Sequence, residues 1–169
     1  MAVILVGGGS RSGKTGFALR RAKEHGARLA YVATAQALDG EMEDRVAAHQ
    51  AERGEEFVTI EEPYDLAGVV ERRAAGFDAM VIDCLTLWLS NLMLNGSWDV
   101  PHEVGRLIEA ARENRCRLVF VTNEVGAGIV PDNELSRRFR DQAGWMNQQM
   151  ASIADEVYWT VFGCPLKVK

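Results

Sequence analysis

Cysteine is scarce in this 169-residue chain, which carries only Cys84, Cys116 and Cys164. Odd in number, widely spaced and lacking a C-x-x-C pair, they provide neither a disulfide framework nor the ligand spacing of a structural zinc site. Cys84 and Cys116 flank apolar runs and are expected in the core. Long apolar stretches are missing too. No run approaches the ~18 residues that a membrane-spanning helix requires. Ala2 to Val6 is too short for a signal-peptide core and leads straight into glycines, so the expectation is a cytoplasmic protein without membrane insertion. Basic charge is not in excess: 19 Lys and Arg against 24 Asp and Glu give a formal charge of −5. That sign is wrong for neutralising a phosphate backbone, and no nucleic-acid partner is expected. No internal repeat, low-complexity tract or linker interrupts the chain. Its 47% apolar content suits one domain over residues 1–169.

What the sequence does have is alternation. Ala2 to Val6 is a short continuous apolar run, the pattern of a strand buried on both faces of a parallel sheet. Similar runs lie at Leu29 to Thr34, Phe57 to Ile60, Ala79 to Asp83, Leu118 to Thr122 and Glu156 to Val161. Helix-period segments separate them at Gly13 to Glu24, from a cap at Asp65 to near Gly76, and at Leu85 to Leu94, Val104 to Asn114 and Asn133 to Ala154. A further helix is read over Asp39 to Arg53, and Glu156 to Lys169 has the makings of an edge hairpin. The pattern predicts an α/β fold, a mostly parallel sheet flanked by helices.

Between the first strand and the first helix stands Gly8-Gly-Ser-Arg-Ser-Gly13-Lys14-Thr15, which satisfies G-x-x-x-x-G-K-[ST] in the context its mechanism requires. Glycines let backbone N–H groups wrap phosphates, the helix N-terminus adds positive potential, Lys14 reaches the β and γ oxygens, and Thr15 offers a hydroxyl to Mg²⁺. The motif in this setting predicts a P-loop NTPase fold, expected to be RecA-like. Asp83, closing an apolar strand, is the residue type that holds Mg²⁺ or its water shell in such enzymes. It is equally a candidate N-cap for the helix from Leu85.

In the helix expected over Asp39 to Arg53, Arg45, His49 and Arg53 recur at i, i+4 and i+8 and share one face. Flanking guanidinium groups disfavour an imidazolium, which keeps His49 a neutral nucleophile near neutral pH. By itself that spacing also describes a solvated helix face. The other histidines compete poorly: His25 sits at a helix C-terminus, where its charge is favoured, and His102 follows Pro101 in a first turn.

Several segments together resemble the bifunctional adenosylcobinamide kinase / adenosylcobinamide-phosphate guanylyltransferase family of cobalamin biosynthesis. They are Leu5 to Lys14, Tyr31-Val-Ala-Thr-Ala35, Glu41-Met-Glu-Asp-Arg45-Val-Ala-Ala-His49, Val121-Thr-Asn-Glu-Val-Gly126, Gly128-Ile-Val-Pro131, and Phe139-Arg-Asp with Gly144 and Asn147-Gln148. The resemblance implies phosphorylation of the aminopropanol hydroxyl of adenosylcobinamide by ATP or GTP. Transfer of GMP from GTP to adenosylcobinamide phosphate follows, through a guanylylated histidine whose matching position is His49.

It further implies that the triphosphate is held by Gly7, Gly8, Gly9, Ser10, Arg11, Ser12, Gly13, Lys14 and Thr15. Contacts from Ala33, Thr34, Ala35, from Gln50, Ala51, Glu52, Arg53, and from Glu61 and Asp83 are implied as well. Mg²⁺ would sit on Thr15 and Asp83, and the assembly would be a homotrimer. Asn123-Glu124, just past a strand, can orient substrate or metal, or simply form an Asx turn and a surface contact; neither residue is placed in the catalytic set. Two other functions use the same P-loop: a kinase of another small metabolite, with no covalent role for His49, and a nucleotide-driven switch.

Overall fold

The computed structural model describes residues 2–36 and 54–169. In chain order its elements are β1 (Val3–Gly8), α1 (Lys14–Lys23), β2 (Leu29–Ala33), β3 (Phe57–Glu61), α2 (Leu66–Arg73) with a 3-10 turn (Ala74–Gly76), β4 (Ala79–Asp83), α3 (Leu85–Asn95), α4 (Val100–Glu113), β5 (Arg117–Val121), α5 (Glu134–Ile153), β6 (Glu156–Val161) and β7 (Cys164–Lys167). The helix expected over Asp39 to Arg53 lies outside the described residues.

The strands form one sheet in the order β3-β2-β4-β5-β1-β6-β7, parallel throughout except for the β6–β7 hairpin. Every residue of β1 is buried, as a central strand covered on both faces demands, whereas edge strand β7 is exposed along its length. Side chains alternate between two cores. Leu5, Val32, Ile82 and Phe120 face the one built with α2 to α5, around Leu66, Trp88, Leu107 and Met146. Ile4, Tyr31, Val81 and Val119 face the other, where α1 contributes Phe17, Ala18, Leu19 and Ala22. Cys84 and Cys116 are buried.

Local chemistry explains the element boundaries. Asp65 caps α2 by accepting from Gly68 N at 3.0 Å, as its position ahead of an apolar face predicts. The next boundary departs from expectation: α4 begins at Val100, four residues before Val104, because Asp99 accepts from His102 N and Pro101 suits a first turn. Trp88 is buried and donates its indole N–H to Tyr64 O at 2.6 Å, which makes it a core anchor.

Candidate active site

The loop between β1 and α1 has a backbone that few residues tolerate. Arg11 and Gly13 are left-handed, with φ of 53° and 89°. Gly13 is also the N-cap of α1 and has no side chain with which to cap it. The other described α-helices are each capped by a side-chain acceptor, from Asp65, Cys84, Asp99 and Asn133. α1 has no such cap and no acid in its first turn. Its leading N–H groups are left for a ligand, and the helix dipole selects an anionic one.

Lys14 opens that helix with only 8% of its surface exposed, and its Nζ donates to Gly9 O at 2.6 Å. Burial pushes its pKa below the ordinary lysine value, while the charge of Asp83 opposes the shift. Thr15 Oγ1 donates to Asp83 Oδ2 at 2.6 Å, joining the loop to the end of β4. The cap of α3 is therefore not Asp83 but its neighbour Cys84, whose Sγ accepts from Leu87 N at 3.5 Å. Asp83 is left to face the P-loop. Its peptide bond to Cys84 is cis.

A hydroxyl clamp fixes this strand end. Thr34 Oγ1 donates to Cys84 O at 2.9 Å and accepts from Cys84 N at 2.8 Å. Its backbone N–H bonds Asp83 O and its carbonyl accepts from Asn91 Nδ2. Thr34 is fully buried, so what it holds is the β4–α3 turn.

The β6–β7 hairpin supports the P-loop from the opposite side, a contact across some 150 residues that periodicity does not reveal. Thr160 Oγ1 donates to Gly7 O at 3.0 Å. With that proton committed, Ser12 Oγ must be the donor in the 2.8 Å Ser12–Thr160 bond. Gly163 N bonds Ser12 O at 3.1 Å, and a Cβ on Gly13 would lie 3.2 Å from Gly163 Cα. A Cβ on Gly8 would strike both the hydroxyl and the carbonyl of Thr160, at a φ of 153°. Gly8→Ala is therefore expected to destabilise the protein by about 2–4 kcal/mol. It should also weaken nucleotide binding more than a remote substitution of equal cost, measured by thermal denaturation and a fluorescent-nucleotide titration.

Across the sheet, Val6, Val121, Asp83, Ala33 and Glu61 pair in one row at the carboxyl edge. Ligands of open α/β sheets bind at that edge. Four strand spacings put Glu61 roughly 19 Å from β1, out of reach of phosphates on the P-loop. The structure thus brings Gly7 to Thr15 together with Asp83, and sets Ala33, Thr34 and Glu61 along the edge beyond. His49 and Gln50 to Arg53 lie outside the described residues.

His25 departs from expectation. Both its ring nitrogens face Arg117 NH1, at 2.7 and 2.8 Å. Burial first, then Arg117 and Arg21, push its pKa below the ordinary histidine value, opposite to the direction expected of a helix C-terminus.

Asn123 and Glu124 are more firmly placed than a surface turn. Asn123 N donates to Thr86 Oγ1 at 2.7 Å, and Thr86 shares a 3.2 Å bond with Thr122. Thr122 in turn donates to Asn147 Oδ1 at 2.7 Å, and Asn147 Nδ2 returns to Asn123 O at 3.4 Å. The ring closes. Glu124 follows at once, its N–H on Gly8 O at 3.2 Å. The sequence signal was present in the T-N-E run after a strand, but its partners Thr86 and Asn147 belong to other helices.

Solved structures share this fold. The ATPase domain of G40P matches with a TM-score of 0.54 at 12% identity, over 94% of this chain and 68% of that one. The RadB recombinase matches with a TM-score of 0.53 at 16% identity, over 94% and 73%. They identify the architecture as a RecA-like P-loop NTPase fold. Among curated proteins, the bifunctional adenosylcobalamin biosynthesis protein CobP of Pseudomonas aeruginosa is 44% identical over 166 residues, 98% of this chain and 96% of the relative. The bifunctional adenosylcobalamin biosynthesis protein CobU of Salmonella typhimurium is 38% identical over 181 residues, 99% of each. With the family match running over residues 4–168, from the first strand through the closing hairpin, this chain belongs to the cobinamide kinase / cobinamide phosphate guanyltransferase family.

Proposed function

We propose that the chain, as a single domain, phosphorylates the aminopropanol hydroxyl of adenosylcobinamide with ATP or GTP. It then transfers GMP from GTP to adenosylcobinamide phosphate, giving adenosylcobinamide-GDP and pyrophosphate. The observation that carries this reading is a family match over residues 4–168 in a chain whose P-loop, Lys14, Thr15 and Asp83 converge at one sheet edge.

In the first reaction the acceptor oxygen attacks the γ-phosphorus and the nucleoside diphosphate leaves. Lys14 and the N–H groups of the α1 N-terminus stabilise the charge on the transferring group. The Thr15 hydroxyl and Asp83 carboxylate, already joined, form the hard oxygen pair that suits Mg²⁺, which when bound neutralises phosphate charge. In the second reaction a ring nitrogen of His49 attacks the α-phosphorus of GTP and releases pyrophosphate. The phosphate of the acceptor then displaces the imidazole.

Ala33, Thr34, Ala35, Gln50 to Arg53 and Glu61 belong to the nucleotide site in this reading, and the working form is a cytoplasmic homotrimer. The test is incubation of the purified protein with Mg²⁺, adenosylcobinamide and ATP or GTP, with chromatography of the corrinoid. Adenosylcobinamide phosphate should form with either nucleotide if both feed the first step, and the GDP adduct only with GTP. Nucleotide hydrolysis with the corrinoid untouched would replace this function with that of a switch.

A further inference from the structure

The kinase reaction needs a group to receive the proton of the acceptor hydroxyl, and the P-loop supplies none: Lys14 and the backbone amides are donors. We infer that Glu124 is that general base, an assignment that rests on the kinase function proposed above.

Position is the first argument. β5 lies between β1, which leads into the P-loop, and β4, which ends in Asp83; Val121 pairs with both Val6 and Asp83. The chain leaves β5 at this point, and three residues later Glu124 N–H bonds the carbonyl of Gly8, the first P-loop residue. Glu124 thus stands at the carboxyl edge between the phosphate loop and Asp83, beside the region a γ-phosphate occupies.

Pre-organisation is the second. The hydrogen-bond ring through Asn123, Thr86, Thr122 and Asn147 fixes the backbone immediately before Glu124, and Thr86 and Thr122 are buried. The carboxylate is itself held: Glu124 Oε1 accepts from Gly126 N, and a Cβ at Gly126 would lie 2.6 Å from that oxygen. Glycine at 126 makes the space in which the carboxylate sits.

Availability is the third. Among the described residues Glu103 and Glu156 are engaged by arginines, and both Glu62 contacts are backbone N–H groups of the turn before α2. Glu124 pairs with no described cation, and its second oxygen carries no hydrogen bond from a described residue. That oxygen can take a proton.

The step balances: the acceptor O–H gives its proton to Glu124, the oxygen forms a bond to the γ-phosphorus, and the bond to the β-bridging oxygen breaks to release the diphosphate. Glu124→Gln should lower kcat for phosphorylation of adenosylcobinamide on the order of 10²–10³-fold. KM for the nucleotide and the affinity for a fluorescent analogue should stay within about threefold of wild type, because the amide keeps the Gly126 contact.

In Glu124→Ala, added formate should restore part of the lost rate by supplying a carboxylate in its place. A Gln variant within about threefold of wild-type kcat would overturn the assignment. So would an Ala variant deaf to formate, or a nucleotide KM that rises in step with the loss. If the wild-type protein itself phosphorylated no adenosylcobinamide, the proposed function would fall, and this inference with it.

Discussion

Lys14→Ala should lower phosphoryl transfer and guanylyl transfer together, each on the order of 10³-fold in kcat. Both losses follow from there being one triphosphate cradle among the described residues. Its distinguishing feature is a helix N-terminus that carries neither a capping side chain nor an acid. The lysine is the cradle's only buried cation, 8% exposed, with its ammonium on Gly9 O at 2.6 Å. Burial lowers its pKa while the charge of Asp83, the carboxylate that accepts from Thr15, opposes the shift. Replacing it leaves the loop with dipoles alone, which position phosphates but neutralise less of the charge that develops on them. Lys14→Met tests whether the effect is electrostatic, since it keeps the apolar stem in the packed wall and removes the ammonium. It should lose as much activity as Lys14→Ala while melting within a few degrees of wild type. If guanylyl transfer survived in either variant while phosphoryl transfer collapsed, the two reactions would need separate triphosphate sites.

The parts of this fold legible in the sequence are those that local chemistry dictates. A strand buried on both faces reads as an apolar run, and β1, β2, β4 and β5 stand where those runs predicted, to within two residues at either end. The P-loop motif carries its mechanism in eight consecutive residues, and the structure adds only its support. That support was not legible. Thr160 meets Ser12 from 148 residues away, and nothing around Val161 announces that the hairpin will brace the loop. Nor was the second tie of Thr34 legible: its hydroxyl bonds both backbone groups of Cys84, a pairing that requires knowing that β2 and β4 are neighbours.

Boundaries slipped where a cap outweighed periodicity. Asp99 and Pro101 start α4 about one turn before Val104, where the helical period was read to begin. Cys84 caps α3 although cysteine is a weak acceptor, and the carboxylate beside it is thereby spared for Thr15. Asn123 and Glu124 illustrate a different gap. The residue types were visible, but a turn and a site residue look alike until the ring through Thr86 and Asn147 is seen.

His49→Ala should abolish the covalent guanylyl-enzyme and reduce guanylyl transfer on the order of 10⁴-fold or more, the scale on which losing a nucleophile is felt. Arg45, His49 and Arg53 fall on one face of the helix their sequence predicts, and guanidinium groups on both sides disfavour the imidazolium. A neutral ring has a lone pair to attack the α-phosphorus, and the same arginines can hold the triphosphate while it does so. Ala48 stands next to it, so no adjacent side chain can substitute. The measurement is incubation with Mg²⁺ and GTP labelled at the α-phosphate, followed by denaturation. Wild type should retain label that is labile to acid and stable to alkali, the signature of a phosphorus–nitrogen bond, and the variant should retain none. Phosphorylation of adenosylcobinamide needs no enzyme nucleophile, so it serves as the internal control for folding and nucleotide binding. Label that persisted in His49→Ala would assign the nucleophile to another residue. A folded, GTP-binding wild type that never acquired label would mean that the acceptor phosphate attacks GTP directly, with His49 confined to binding.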